Sequence, residues 1–198
     1  MTTHFILEGC DRLSKSTVTA GLINRLGFRH VIHHGKPMIT DAYRSLFQKP
    51  VPDAVLYKQY QAICFDGSLR LLNGDVSLIM DRAHLGEAVY AHRYRGYDGD
   101  YVFNLEKIHC SRGSQFHEKT VLVLLTTSDW SFIHDDGESF DFSKKEEEQA
   151  DFIAAFGKSI IRRKLIVDVN NGNGAFKTRD EILDEILNGA SNSSSASE

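Results

Sequence analysis

Residues near the start of the chain have the types and the spacing that hold a polyphosphate. The segment 9–17 reads GCDRLSKST, and it lies between an apolar run and a helical pattern of apolar residues. Its spacing is that of a phosphate-binding loop, Gly-x-x-x-x-Gly-Lys-Ser/Thr, with Ser14 in place of the second glycine. In such a loop, backbone N–H groups and a helix N-terminus surround the phosphates, and a lysine reaches the β- and γ-phosphates. We therefore expect ATP to bind at Gly9, Ser14, Lys15, Ser16 and Thr17.

A second set of chemically capable residues follows another short apolar run, which ends in Asp81 and Arg82. A buried parallel strand that ends in an acid is the expected companion of a phosphate loop, since the carboxyl ends of parallel strands share one edge. Phosphoryl transfer needs cations for the developing charge and an acid to hold Mg²⁺. We therefore expect Arg12 and Lys15 to stabilise that charge, and Asp81 to hold Mg²⁺ together with the hydroxyl of Ser16.

The apolar pattern along the chain alternates between strand-like and helix-like segments. Short continuous apolar runs predict strands, and apolar residues at helical spacing predict helices. Ser143 with Glu146, and Thr178 with Glu181, form capping boxes that predict two helix starts. The predicted strands are 4–8, 28–33, 76–80, 120–125 and 165–169, and the predicted helices are 15–26, 39–48, 53–72, 85–95, 97–109, 143–160 and 179–187. This alternation predicts one three-layer α/β domain with a mainly parallel five-stranded sheet.

The composition is that of an ordinary globular protein, with 198 residues, 41% hydrophobic and 25% charged. The net charge of −4 gives no basic field, so we expect small nucleotides as partners and no stable nucleic-acid complex. No apolar run approaches the roughly 20 residues that cross a bilayer. Three cysteines without metal-site spacing, and an N-terminus without a signal peptide, predict a cytoplasmic protein. The domain is predicted at 1–189, and the polar segment 190–198 is predicted to be disordered.

The two motifs together resemble those of thymidylate kinases and of related phage nucleotide kinases. The spacing between the motifs and the order of strands and helices also agree, in outline over most of the chain. The matching positions are Glu8-Gly9-x-Asp11-Arg12-x-x-Lys15-Ser16-Thr17 and Asp81-Arg82-x-x-Leu85-x-x-x-x-Tyr90. The resemblance implies a three-layer P-loop kinase fold, ATP as the phosphate donor and Mg²⁺ as the cofactor. Homodimers are common among these kinases, so a homodimer is an open expectation.

The resemblance also implies roles on the acceptor side. Asp11 would orient the sugar through its 3′-hydroxyl, Arg82 would grip the acceptor phosphate, and Tyr90 would lie under the sugar and disfavour a 2′-hydroxyl. Some members of the family place a catalytic arginine directly after that aspartate, where this chain has Arg12. Those members lack basic residues in the lid, and the predicted lid at 131–143 contains no Arg or Lys. The two features compensate, because one guanidinium can bridge donor and acceptor phosphates from either loop.

The acceptor base is expected on the long helix at 53–72, by analogy with the family. Tyr57, Gln61 and Phe65 recur every four residues and so share one face of that helix. Phe65 suits stacking on a base and Gln61 suits reading its amide edge, while the alternative makes Phe65 a core residue and Gln61 a rim residue. Glu87, in the helix after the second motif, either faces the acceptor or is a solvated acid.

The predicted reaction is transfer of the ATP γ-phosphate to a natural or modified pyrimidine deoxynucleoside monophosphate. A modified base is considered because His34-Gly-Lys-Pro37 replaces the acid-proline segment of many relatives. One alternative is a kinase of the same fold that phosphorylates the 5′-hydroxyl of a deoxynucleoside or polynucleotide, with Glu8 or Asp11 as general base. Another is a nucleotide-binding module without transfer activity, which Ser14 in the loop would suit.

Overall fold

The computed structural model describes residues 3–27, 30–34, 53–110, 116–135, 139 and 141–192. These residues form one sheet in which every strand pairing is parallel. The strands are β1 (His4–Glu8), β2 (His30–His33), β3 (Leu78–Asp81), β4 (Thr120–Thr126) and β5 (Arg163–Asp168). Their order across the sheet is β2-β3-β1-β4-β5, which confirms the predicted five-stranded parallel sheet.

Helices cover this sheet and pack against one another in pairs. They are α1 (Lys15–Leu26), α2 (Asp53–Leu71), α3 (His84–Tyr90), α4 (Tyr101–Cys110), α5 (Phe116–Lys119), α6 (Lys145–Lys158) and α7 (Arg179–Asn192). Helix α1 contacts α7, α2 contacts α4, and α3 contacts α6. No helix in the described part of the chain is long and apolar enough to span a membrane.

The core lies around the three central strands. Every residue of β1, β3 and β4 is buried, which explains why these strands read as continuous apolar runs. Strand β2 is more exposed, because as an edge strand it pairs with β3 alone. Buried polar side chains, Glu8 and Asp81, stand at the carboxyl ends of β1 and β3. The sheet therefore places its polar residues at one edge, as its parallel topology requires.

One predicted helix is interrupted. The segment predicted as a helix at 85–95 is α-helical only as far as Tyr90, and Ala91–Arg95 forms a π-helical turn. The turn ends at Gly96, whose φ is +72° and whose N–H donates to the carbonyl of Ala91. The helix predicted at 97–109 begins later, at Tyr101. The predicted short helix at 39–48 lies outside the described residues.

The two predicted capping boxes have different outcomes. Thr178 and Glu181 form one, because each side chain accepts a hydrogen bond from the backbone N–H of the other. The box predicted for Ser143 and Glu146 is wrong. Ser143 lies in a 3₁₀ turn, and the carboxylate of Asp141 accepts hydrogen bonds from its N–H and hydroxyl at 3.0 and 2.6 Å. Asp141 is therefore the N-cap of this 3₁₀ turn, whereas Lys144, the N-cap of α6, makes no side-chain capping hydrogen bond.

The last helix is longer than predicted. Helix α7 continues to Asn192, so residues 190–192 of the predicted disordered tail are helical. Ala190 is buried in the core, which ties this end of the helix down. The remainder of the predicted tail lies outside the described residues. Of the predicted lid at 131–143, residues 131–135, 139 and 141–143 are described, and they form turns and the 3₁₀ segment.

Candidate active site

The loop between β1 and α1 depends on glycine at its first position. Gly9 has a φ of +137°, and a Cβ atom there would lie only 2.4 Å from the carbonyl oxygen of Leu125 in β4. Ser14, directly before α1, has a left-handed backbone with φ 57°. This is the conformation that glycine would adopt without strain, and serine accepts it at a cost of about 1 kcal/mol. The loop thus has the tight turns of a phosphate loop despite the missing second glycine.

The side chain of Lys15 is folded back onto the phosphate loop. Its Nζ donates to the carbonyl oxygens of Gly9, at 2.9 Å, and Cys10, at 2.5 Å, and its side chain is almost fully buried. Burial, together with the nearby positive charge of Arg82, lowers the pKa of Lys15 to about 8. The ammonium group therefore stands inside the loop at the N-terminus of α1, where an anion would be favoured.

The residues predicted to hold Mg²⁺ are in contact with each other. The hydroxyl of Ser16 donates to Asp81 Oδ2 at 3.3 Å, and Nδ1 of His33 lies 3.2 Å from the same oxygen. The other oxygen, Asp81 Oδ1, is buried and has no hydrogen-bond partner among the described residues. Hydroxyl and carboxylate oxygens are ligands that Mg²⁺ accepts, usually alongside phosphate and water oxygens. Ser16 and Asp81 therefore fit this ion.

An open cleft adjoins the phosphate loop. The six side chains predicted for the acceptor all line it: Asp11, Gln61, Phe65, Arg82, Glu87 and Tyr90. These residues come from the phosphate loop, the end of β3, α2 and α3, and the fold brings them to one cleft. The cleft is also lined by Arg95 and Phe152, which sequence analysis did not assign to the site, and by His34, which belongs to the segment that suggested a modified base.

An ion pair connects the phosphate loop to this cleft. Arg82 Nη1 lies 2.7 Å from Asp11 Oδ1. Burial opposes the ionisation of Asp11, but the charges of Lys15 and Arg82 outweigh it, so the pKa of Asp11 lies below its ordinary value. Arg82 itself has a left-handed φ of 67°, and its N–H donates to the carbonyl of Leu7 at 2.9 Å. Asp11 in the phosphate loop and Leu7 in β1 therefore fix the side chain and the backbone of Arg82.

Glu8 fixes the backbone that follows Arg82. Its Oε1 accepts hydrogen bonds from the N–H groups of Ala83 at 3.0 Å and Leu85 at 2.8 Å. Burial raises the pKa of Glu8, although these hydrogen bonds favour its charged form. A carboxylate at the start of α3 satisfies N–H groups that lack helical partners. Glu8 therefore acts as a cap that holds the segment carrying Arg82, a role that sequence analysis did not assign.

Tyr90 forms part of the cleft wall. Its ring meets Phe152 edge-on, with ring centroids 5.5 Å apart. Its hydroxyl is buried and has no hydrogen-bond partner among the described residues. Burial and the nearby charge of Asp11 raise the pKa of Tyr90 well above its ordinary value, so the hydroxyl stays protonated. A protonated hydroxyl with no partner in the described part of the chain is available to a ligand in the cleft.

Glu87 is not a solvated helical acid. Its side chain is fully buried and pairs with Arg95. The hydroxyls of Tyr97 and Tyr101 donate to its Oε1 at 2.6 and 3.0 Å. The solvated alternative is therefore wrong, because four groups converge on this carboxylate once Gln61, 3.5 Å away, is included.

His34 and Phe65 form an aromatic surface in the cleft. Their ring centroids are 4.9 Å apart with an interplanar angle of 35°. Nε2 of His34 lies 3.0 Å from the hydroxyl of Ser68, and that hydroxyl donates to the carbonyl of Cys64. Burial lowers the pKa of His34 to about 4, so the ring is neutral near pH 7. Phe65 and Gln61 are both largely buried and both line the cleft, so neither lies apart from the site.

Arg12 occupies a different position from the other predicted residues. It has a left-handed φ of 75°, and its side chain is exposed on the loop and is not part of the cleft wall. Its predicted bridging role therefore stays a prediction. Thr17, in the first turn of α1, is likewise exposed. The part of the chain that the structure describes contains no group of three or more His, Cys, Asp or Glu side chains that could hold a metal ion.

Comparison with known proteins identifies the fold. No family model matches the chain, and no curated protein sequence matches it significantly. Among solved structures, the YorR protein of Bacillus subtilis, in complex with phosphorylated GDP, has a TM-score of 0.56 at 17% identity and covers 93% of each chain. Thymidylate kinase from Ehrlichia chaffeensis has a TM-score of 0.54 at 15% identity, over 94% of this chain and 97% of that one.

A third similar structure is a kinase that is named for a different substrate. Deoxyadenosine kinase from M. mycoides, solved with dCMP and dCDP, has a TM-score of 0.54 at 13% identity, over 96% of this chain and 100% of that one. These similarities show that the chain has the P-loop kinase fold predicted from its sequence. They do not single out thymidylate kinases, because kinases with different substrates match about equally well.

Proposed function

We propose that this protein is a nucleotide kinase that transfers the γ-phosphate of ATP to a pyrimidine deoxynucleoside monophosphate. The observation that carries the proposal is the 2.7 Å ion pair between Asp11, in the phosphate loop, and Arg82, after β3. It joins the loop to a cleft lined by all six residues predicted for the acceptor. A nucleotide in this cleft would therefore have its phosphate beside the loop that holds ATP.

On the donor side, Lys15 and the loop amides bind the phosphates of ATP. The lysine Nζ exchanges its present partners, the carbonyls of Gly9 and Cys10, for phosphate oxygens. The charge of the phosphates raises the lowered pKa of Lys15, so nucleotide binding makes its protonation more favourable. Ser16 and Asp81 would hold Mg²⁺, which would supply positive charge against the phosphates of ATP.

On the acceptor side, Arg82 binds the monophosphate and Asp11 orients the sugar through its 3′-hydroxyl. Tyr90 lies under the sugar and disfavours a 2′-hydroxyl, which selects deoxyribonucleotides. Its hydroxyl is buried and has no partner within the described ranges, which supports a contact of this kind. The acceptor oxygen attacks the γ-phosphate in line, and no covalent intermediate is formed.

Arg12 supplies the charge that bridges donor and acceptor. Its side chain is exposed on the loop, where ATP would be bound. The predicted lid at 131–143 contains no Arg or Lys that could take this role. Loss of an arginine of this type can slow phosphoryl transfer by about 1,000-fold or more. Arg12→Ala should therefore lower kcat much more than it changes the KM for the acceptor.

Acceptor screening tests the proposal. ADP release should be measured with ATP, Mg²⁺ and a panel of natural and modified deoxynucleoside monophosphates, each paired with the nucleoside that lacks the 5′-phosphate. We expect turnover only with the phosphorylated acceptors. Turnover with the nucleosides alone would instead support a 5′-hydroxyl kinase, and ATP binding without any product would support a non-catalytic module.

Matched lysine variants check the assigned phosphate loop. Lys15→Ala should lower kcat/KM by about 100-fold or more, because it removes the cation nearest the transferred phosphate. Lys119→Ala is the control. Lys119 lies directly before β4, at the amino ends of the strands and away from the phosphate loop, where it pairs with Asp75. Unchanged turnover in Lys15→Ala would refute the assigned loop.

A further inference from the structure

A buried histidine–glutamate pair lies next to the segment that carries Arg82. His84, the first residue of α3, and Glu106, in α4, are both fully buried. Nε2 of His84 lies 2.9 Å from Glu106 Oε1. Neither side chain lines the cleft, and neither has a part in the transfer of phosphate proposed above. Burying two ionisable groups costs free energy, so the pair calls for a role of its own.

The carboxylate of Glu106 accepts hydrogen bonds from three groups. Besides His84, the hydroxyl of Ser159 donates to Oε1 at 2.6 Å, and the N–H of Ile160 donates to Oε2 at 2.7 Å. Burial opposes the ionisation of Glu106, but these bonds and the nearby histidine outweigh it, so the pKa of Glu106 lies below its ordinary value. Because an ionised carboxylate only accepts, Nε2 of His84 carries the hydrogen of the shared bond. Glu106 thus joins the start of α3 to α4 and to the chain directly after α6.

The start of α3 depends on its neighbours. The helix has seven residues, and its N-cap, Ala83, makes no side-chain capping hydrogen bond. A helix this short is not stable by itself. Glu8 in β1 accepts hydrogen bonds from the N–H groups of Ala83 and Leu85, and Glu106 in α4 accepts one from the ring of His84. Contacts with β1 and with α4 therefore determine where this first turn lies.

Arg82 precedes this turn and has a strained backbone. Its φ of 67° lies in the left-handed region, which is unfavourable for a residue with a side chain. Such a conformation persists only where the surrounding structure holds it. On one side, the N–H of Arg82 donates to the carbonyl of Leu7, and on the other side Glu8 and Glu106 bind the next two residues. Release of the histidine would therefore let the backbone relax toward a negative φ and would move the guanidinium.

We propose that His84 and Glu106 are positioning residues, which hold the start of α3 so that the guanidinium of Arg82 stays in place for the acceptor phosphate. Their effect passes through the backbone of residues 82–84, because neither side chain lines the cleft. Glu8 holds the same turn through its N–H groups, so loss of the pair should displace the turn without unfolding it. The inference rests on the proposed function, because it takes Arg82 as the residue that binds the acceptor phosphate.

Two substitutions of His84 separate its hydrogen bond from its volume. His84→Gln supplies an amide N–H that can donate to Glu106, whereas His84→Leu fills similar space and cannot donate. Titration calorimetry without ATP measures the affinity for dTMP, dUMP and dCMP, each paired with the nucleoside that lacks the phosphate bound by Arg82. For the monophosphate that binds most tightly, we expect His84→Leu to lower the ratio of monophosphate to nucleoside affinity by about 10- to 100-fold. His84→Gln should keep a ratio close to that of the unaltered protein.

His109→Leu is the matched control. His109 also belongs to α4, and its Nε2 lies at the same distance, 2.9 Å, from a carboxylate oxygen of Asp66 in α2. Neither of these two side chains lines the cleft. His109→Leu should lower the free energy of unfolding, measured in urea, and should keep the affinity ratio. An equal fall of the ratio in His109→Leu and His84→Leu would overturn the proposal.

Glu106→Gln is a milder variant that tests the same pair if His84→Leu does not fold. It keeps the volume of Glu106 but replaces one accepting oxygen with an N–H donor, so it cannot accept from both His84 and Ile160. We expect the affinity ratio to fall by about 3- to 10-fold. A lower stability with an unchanged ratio would show that the pair is only structural and would overturn the proposal.

The failure of this inference differs from a failure of the proposed function. If the unaltered protein prefers the monophosphate and the variants of the pair keep that preference, only the inference is wrong. If the unaltered protein binds monophosphates no more tightly than nucleosides, Arg82 does not bind an acceptor phosphate. The proposed function is then wrong, and the inference fails with it.

Discussion

Gly9→Ala tests whether the phosphate loop requires the backbone described here. The new Cβ would lie 2.4 Å from the carbonyl oxygen of Leu125, which is 1.0 Å inside the 3.4 Å at which ordinary contact begins. The added Cβ is fixed directly to the loop backbone and its neighbour is a backbone oxygen, so no side-chain rotation relieves the contact and the loop must move by roughly that distance. The positive φ of +137° adds strain for alanine. The left-handed strain costs about 1–2 kcal/mol and the overpacking about 1–3 kcal/mol. Together they predict that the free energy of unfolding falls by roughly 2–5 kcal/mol.

Two assays and one control measure this loss. Urea unfolding gives the change in the free energy of unfolding, and calorimetry gives ATP affinity, which a shift of about 1 Å in the loop should weaken by about 100-fold. Gly27→Ala is the control, because Gly27 also has a positive φ, +68°, but has no atom within 4 Å of the added Cβ. The free energy of unfolding of Gly27→Ala should fall by only about 1 kcal/mol, and its ATP affinity should be unchanged. Equal stability and ATP affinity of the two variants would refute the assigned close contact.

Three further predictions follow from the same loop. Ser14→Gly should raise the free energy of unfolding by up to about 1 kcal/mol, because glycine adopts the left-handed φ of 57° without strain. Turnover should be unchanged. A variant that is less stable than the unaltered protein would contradict this prediction. Folding lowers the pKa of Lys15 from 10.5 to about 8, so between these values the unfolded chain binds the proton more strongly and stability rises with pH. Relative to Lys15→Met in urea unfolding, the unaltered protein should gain stability above pH 8; parallel pH profiles would contradict the buried cation. Cys10 is fully buried and its pKa is raised to about 12, so iodoacetamide should label the more exposed Cys64 first by mass spectrometry; early labelling of Cys10 would show that the loop opens.

The fold was largely predictable because its signals are local. Apolar runs predicted the central strands, and the α1 boundaries, Lys15–Leu26, agree with those predicted. The errors occur where a neighbour changed the outcome. Asp141 binds Ser143 within a 3₁₀ turn, so Ser143 does not cap α6, and the buried Ala190 extended α7 into the predicted tail. Both depend on contacts that a periodic pattern does not report.

The candidate site was predictable where residue type and strand position were sufficient. Asp11, Arg82 and Tyr90 belong to motifs with fixed spacing, and the parallel sheet brings them to one edge. Arg95 was missed because a regular helix was predicted there. The π-helical turn Ala91–Arg95 changes the direction of the side chains after α3, and such turns often occur at functional sites. For its partner Glu87 the sequence left open a contact with the acceptor or a solvated acid, since no local pattern shows four groups converging on it.

Phosphate transfer from labelled ATP shows whether the protein is a deoxynucleoside monophosphate kinase. The protein should be incubated with ATP radiolabelled in its γ-phosphate, Mg²⁺ and dTMP, dUMP or dCMP, with Lys15→Ala as the inactive control, and the products separated by chromatography. We expect the label in the β-phosphate of a deoxynucleoside diphosphate, and we expect this product to be lost with Lys15→Ala. Label found only in inorganic phosphate, or equal product from the control, would contradict it.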